Sequence, residues 1–140
     1  NLEKIMSIQN KKVGDVMLGF GSFPVVTENT ILKEALEKMD DFRLGIACIT
    51  GQNNQLSGII TDGDIRRKIL SVQKPLAAFF IDDVINQSIK SPITASSDTS
   101  LIDAVDLMEN KQVWDLPVID DGKLVGLLHL HSVIKVLLAE

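Results

Sequence analysis

The sequence has no tyrosine, one tryptophan and one cysteine, and aromatic residues make up only 4% of its 140 positions. So few rings exclude a base-stacking platform for single-stranded nucleic acid, which needs several exposed aromatics. A formal net charge of −5 adds overall repulsion from a phosphate backbone, so no nucleic-acid polymer is expected as a partner. With Cys48 alone there is no internal disulfide and no cysteine-based zinc site, which fits a reduced, cytoplasmic setting. No apolar run approaches the roughly 20 residues that span a bilayer, and no signal-peptide pattern opens the chain, so no membrane partner is expected. The first residue is Asn1 and not Met, which is expected of a piece of a longer protein.

What is present is a soluble globular balance, 45% hydrophobic and 24% charged, enough for a sizeable core. The pattern also repeats, with a period of about 70 residues. Val13-Gly14-Asp15-Val16-Met17 opens one copy and Ile81-Asp82-Asp83-Val84-Ile85 opens the next. Short extended segments follow at Phe23-Pro24-Val25-Val26-Thr27 and Ser91-Pro92-Ile93-Thr94-Ala95. Apolar residues then recur at helical spacing, at Ile31, Leu32, Ala35, Leu36 and Met39 and at Leu101, Ala104, Val105 and Met108. Thr30 and Thr99 are placed to cap these helices. Two strands come next in each copy. Ile46 to Thr50 and Leu56 to Thr61 flank a polar turn, and Leu116 to Ile119 and Leu124 to His129 flank Asp120-Asp121-Gly122-Lys123, a hairpin signal. Closing helices are expected over Ile65 to Val72 and Val133 to Leu138.

The expected fold class is therefore α/β, with strand, helix, strand, strand, helix in each copy. Residues 1–12 read as an N-terminal linker from an upstream domain, 13–72 as the first copy, 73–80 as the link and 81–140 as the second copy. Units of this size are marginal alone, so the two are expected to pack about a pseudo-twofold axis.

The segment richest in chemistry is Gly58-Ile59-Ile60-Thr61-Asp62-Gly63-Asp64-Ile65-Arg66-Arg67. It runs from a strand into a helix, whose N-terminal amides and dipole suit an anion. Thr61 offers a hydroxyl. Asp64 offers an acceptor-only carboxylate fit for the two hydroxyls of a ribose. Arg66 and Arg67, two of the three arginines in the chain, offer charge-assisted contacts to phosphate or a sugar acid, although neighbours on a helix point apart. The same residues also suit plain helix capping: Thr61 or Asp62 as cap and Asp64 complementing the dipole.

Asp62 and Asp64 could pair as general acid and base, but no nucleophile or metal cluster accompanies them, so the chain by itself is not read as an enzyme. His129 and His131, placed on one face of a strand, could begin a metal site, but no third ligand is identifiable and none is assigned. They could equally meet an acid group of a ligand or be structural. Cys48 reads as inert core, Trp114 as a packing residue, and Met17, Met39 and Met108 as core.

The doubled order resembles a tandem pair of CBS domains. It rests on the Asp-Val-Met opening, the Ala35/Met39 and Ala104/Met108 helices, and the Gly58-x-x-Thr61-x-x-Asp64 closing motif, and it spans about Val13 to Leu138. That resemblance implies two repeats packed face to face, stacked as a disc-like homodimer, with a cleft for adenosine nucleotides such as AMP or ATP. It implies ribose on Asp64, phosphate on Thr61, and the base near Pro24 and Val25. In the second copy His129 stands opposite Thr61 and Ser132 opposite Asp64, so one competent and one altered site are expected.

Thr61-Asp62-Gly63-Asp64-Ile65-Arg66-Arg67 with the late Leu127-Leu128-His129-Leu130-His131 further resembles the C-terminal CBS pair of bacterial arabinose 5-phosphate isomerases. That family joins it to an N-terminal sugar isomerase (SIS) domain serving synthesis of Kdo and lipopolysaccharide, which makes CMP-Kdo a further candidate ligand. No resident cofactor is required. A ligand-free dimerisation module, or a pair attached to a sugar nucleotidyltransferase or transporter, are the alternatives.

Overall fold

The computed structural model describes residues 2–71 and 73–139. Val72, where the first copy and its closing helix were expected to end, lies outside the described residues, as do the terminal residues 1 and 140. The chain divides into two compact units, Gly21–Pro92 and a second built from Asn1–Phe20 with Ile93–Glu140.

In the Gly21–Pro92 unit the order is β1 (Val25–Thr27), a helix here called α3 (Leu32–Phe42), β2 (Ile46–Thr50), β3 (Leu56–Thr61), α4 (Asp62–Ser71) and α5 (Leu76–Phe80). The helices α1 (Leu2–Gln9) and α2 (Val13–Val16) precede it in sequence but pack in the other unit. The sheet order is β1-β2-β3, with β1 parallel and β3 antiparallel to β2. Helix α3 buries Leu32, Ala35 and Met39, the three-and-four spacing of its sequence, against Ala47, Ile49 and Ile60 of the sheet. The helix ends at Arg43, which is left-handed at φ 54°, and the Leu44 amide closes it on the Met39 carbonyl at 3.1 Å.

The second unit continues with α6 (Leu101–Lys111), β4 (Asp115–Asp120), β5 (Lys123–His129) and α7 (Leu130–Leu138). Helix α6 repeats the design of α3, burying Leu101, Ala104 and Met108 and ending on left-handed Gln112. The β4–β5 hairpin turns through Asp121 (φ 51°) and Gly122 (φ 76°), the two positive angles of a tight type I′ turn.

Thr30 and Thr99 do not cap these helices. Their hydroxyls accept from the amides of Thr27 (3.2 Å) and Ser96 (3.1 Å), closing the turn before each helix. The cap of α6 is Ser100, which accepts from the Asp103 amide, and α3 starts at Ile31 with no side-chain cap.

The repeats of the sequence and the units of packing differ in where their openings go. Val13, from the first opening, is fully buried among Leu101, Met108 and Leu116 of the second unit. Val84, from the second opening, is buried with Leu32, Met39 and Phe79 in the Gly21–Pro92 unit. Each opening then lays one residue on the edge of a closing strand. Leu18 exchanges backbone hydrogen bonds with Leu127 at 2.8 and 3.0 Å, and Ile89 does so with Ile59 at 2.9 Å both ways. The glycine of each closing motif makes room for this. A Cβ on Gly58 would lie 2.7 Å from the Ile89 carbonyl oxygen, and one on Gly126 would lie 2.8 Å from that of Leu18. The stretches at either side of the first copy are helical: residues 2–9 form α1, and the link carries α5, whose Phe79 is fully buried.

Candidate functional site

At one end of the β1-β2-β3 sheet, β1 and β2 begin and β3 ends. Register places Val25 beside Cys48 and Thr61 beside Ile46, so Pro24, Val25 and Thr61 all come to this end. Helix α4 starts directly after Thr61, with no intervening loop.

Here Thr61 and Asp64 cap the helix reciprocally. The Thr61 hydroxyl donates to Asp64 Oδ2 at 2.7 Å, the Thr61 amide donates to the same oxygen at 3.1 Å, and the Asp64 amide donates to Thr61 Oγ1 at 3.2 Å. Arg67, one turn on, donates from Nη2 to Asp64 Oδ1 at 2.9 Å. Asp64 is 7% exposed, while the Arg67 side chain is 64% exposed. The guanidinium lies against Gly63: a Cβ there would sit 3.1 Å from Nη1 and 3.2 Å from Nη2. Arg66 is exposed and outside this network.

Pro24 is buried and its carbonyl accepts from the Cys48 amide at 3.0 Å, while Val25 is half-buried. Cys48 is fully buried. Asp62 points elsewhere than Asp64. It lines a recess of about 290 Å³ between the end of α3 and the start of α4. Leu36, Met39 and Leu44 line that recess together with Asp40, Arg43 and Asp62. The carboxylate reaches in because residue 45 is glycine, whose missing Cβ would lie 2.7 Å from Asp62 Oδ2. Asp62 and Asp64 are thus not a facing acid–base pair.

In the other unit the corresponding end is built differently. His129 is the last residue of β5 and flanks α7 without capping it. Its Nδ1 lies 2.7 Å from Oδ1 of Asp115, its register partner on β4. His131 is exposed in the first turn of α7, so the two rings do not alternate along a strand. They meet across the strand-to-helix corner, with centroids 6.3 Å apart. Among the described residues no group of three or more His, Cys, Asp or Glu could hold a metal ion. Trp114, expected to pack, is 69% exposed.

Sequence reasoning did not foresee Asp115 as the partner of His129, Arg43 at the recess, or Gly63 as the seat of Arg67. The i,i+3 spacing of Asp64 and Arg67 was the one available signal for the last. Two carboxylates held below the usual range serve loops, not this corner. Asp82 is kept low first by the Asn86 amide and then by Gln87, with the Asp83 backbone and Lys74 adding to it against desolvation. Asp120 is kept low first by the Ser97 hydroxyl, then by the Ser97 amide and by Ser96.

The family model for the CBS domain matches residues 13–71 and again 81–139. An uncharacterized protein of Rickettsia prowazekii, RP505, is 30% identical over 124 residues, 89% of this chain and 37% of that protein. The arabinose 5-phosphate isomerase KdsD of Yersinia pestis is 28% identical over 124 residues, again 89% of this chain and 37% of the relative. The chain thus spans well under half the length of these curated relatives. Among solved structures, the crystal structure of CBSX2 in complex with AMP superposes with a TM-score of 0.81 at 28% identity, covering 93% of this chain and 98% of that one. Among the described residues no helix is long and apolar enough to cross a membrane.

Proposed function

The chain belongs to the CBS domain family, as a tandem pair of such domains, and from that premise we propose that it is a ligand-sensing regulatory module. Its ligand is a nucleotide or nucleotide-sugar, with AMP, ATP and CMP-Kdo as the candidates. The observation that carries this reading is the Thr61–Asp64 corner: a carboxylate that is nearly buried, fixed by a threonine, and placed at the sheet end where β1 begins. On this reading Asp64 takes the ribose hydroxyls, phosphate lies at the start of α4 beside Thr61, whose own hydroxyl is given to Asp64, and Pro24 and Val25 line the base. The second copy has no carboxylate at Ser132. There His129 and His131 would offer imidazoles to an acid group, and a ribose would be held more weakly.

The similarity to KdsD supports a parent enzyme that isomerises arabinose 5-phosphate; on this reading a SIS domain would carry that reaction, in the supply of Kdo for lipopolysaccharide. The pair would bias that cytoplasmic enzyme by binding ligand differently in two arrangements of its repeats. On this reading the pair associates as a homodimer.

Thermal unfolding of the chain with AMP, ATP, CMP and CMP-Kdo tests the reading. A true ligand at ~100 times its dissociation constant stabilises by about 2.7 kcal/mol. That shift should vanish in Asp64→Ala. No shift with any of the four would leave a ligand-free association module.

A further inference from the structure

Resting on the reading of the Thr61–Asp64 corner as a ribose site, we propose that Arg67 makes this corner select ligands that carry an anionic group beside their cis-diol, with Gly63 as the seat that holds Arg67 ready.

The acceptor positions of Asp64 are few. An ionised carboxylate offers about four lone-pair sites. In Asp64, Oδ2 already accepts from the hydroxyl and the amide of Thr61, and Oδ1 accepts from Arg67 Nη2. One position remains, on Oδ1. A cis-diol brings two donors, so a ribose is fully held only when the guanidinium leaves. The Thr61 bonds are the helix cap and stay.

Arg67 is the group free to move. Its side chain is 64% exposed and buries nothing in the core. It rests against Gly63, where a Cβ would lie 3.1–3.2 Å from both terminal nitrogens, closer than an ordinary contact. Once displaced by a ribose, the guanidinium is a cation without its carboxylate, still anchored one turn into α4. A neutral nucleoside leaves it to water. A ligand with a phosphate or carboxylate next to the sugar gives it a new planar partner, and one ion pair is exchanged for another. Neutral cis-diols bear the cost of breaking the Asp64–Arg67 pair, and anionic ones recover it.

Isothermal titration of the whole chain with AMP and with adenosine tests this. The wild-type chain should bind AMP more tightly than adenosine, with up to about fivefold of that margin carried by the exposed Arg67 and shrinking with added salt. Arg67→Ala should weaken AMP while leaving adenosine unchanged or tighter, because a competitor for Asp64 is gone. Gly63→Ala, whose Cβ would crowd the guanidinium at 3.1–3.2 Å and push it by a few tenths of an ångström without removing it, should tighten adenosine slightly. Circular dichroism confirms that both variants fold. Equal weakening of both ligands by Arg67→Ala overturns the inference alone. Equal affinity of the wild type for the two overturns the inference and the placing of phosphate at the start of α4 as well. Binding of neither ligand by the wild type overturns the reading of the corner and the inference with it.

Discussion

Thr61 and Asp64 satisfy each other across the first turn of α4, with hydroxyl-to-carboxylate and amide-to-hydroxyl bonds of 2.7 and 3.2 Å. The capping reading and the ligand reading of these residues are therefore not exclusive. The cap is what fixes the carboxylate in the orientation a ribose would meet.

Removing one partner has a stability cost separate from any ligand. Thr61→Val, which keeps the shape and loses the hydroxyl, should destabilise by about 1 kcal/mol. Asp64→Ala should cost a similar amount or more, since the Thr61 amide and Arg67 also lose their acceptor. The double variant should fall short of the sum, because the two residues share the same bonds. Urea denaturation of the three variants measures this; strict additivity would show that the cap is not a unit.

The closing-motif glycines should be intolerant of a methyl group. Gly58→Ala would press on the Ile89 carbonyl, and Gly126→Ala on the Leu18 carbonyl, both backbone atoms held in hydrogen-bonded edges. Each should cost roughly 1–3 kcal/mol. Gly45→Ala meets only the exposed Asp62 carboxylate, which can swing aside, and should stay within about 0.5 kcal/mol. Equal stabilities of the three variants in chemical denaturation would contradict the crossing of the opening segments.

Acid should unfold the chain partly through two loops. Asp82 and Asp120 are held below the ordinary carboxylate value by Asn86, Gln87 and Ser97. A depressed folded pKa contributes stability that is complete above the unfolded value and lost as pH falls through the folded one, so the loss begins below about pH 4. Asp82→Asn and Ser97→Ala should flatten this acid limb while leaving the neutral plateau less affected by pH. Denaturant midpoints measured between pH 2 and 6 check it, and an unchanged slope would be the contrary result.

Much of this fold is legible in the sequence. The spacing of Leu32, Ala35 and Met39 places α3, and Asp121-Gly122 places the second hairpin. Less legible are features set by single contacts. Leu18 and Ile89 each cross to the other copy's closing strand through one bridged residue, which leaves no periodicity to read. The helices α4 and α7 start immediately after their strands, so Asp62-Gly63 looks like a turn and His131 looks like strand. Thr30 and Thr99 carry a capping residue's chemistry one position before the helix needs it, and the preceding turns take it instead. In the candidate site, Thr61 and Asp64 announce themselves by type and spacing. That Arg67 lies on Gly63, and that Asp62 turns to a different recess, depend on side-chain directions that spacing alone does not report.

The most direct test of the account follows backbone amides by nuclear magnetic resonance while AMP, ATP or CMP-Kdo is titrated in. At least one of these should saturate one site per chain. The largest shifts should fall at Val25, Thr61, Gly63 and Asp64. Shifts centred on His129 to Ser132 with Thr61 and Asp64 unmoved, or no saturable shift with any of the three ligands, would contradict it.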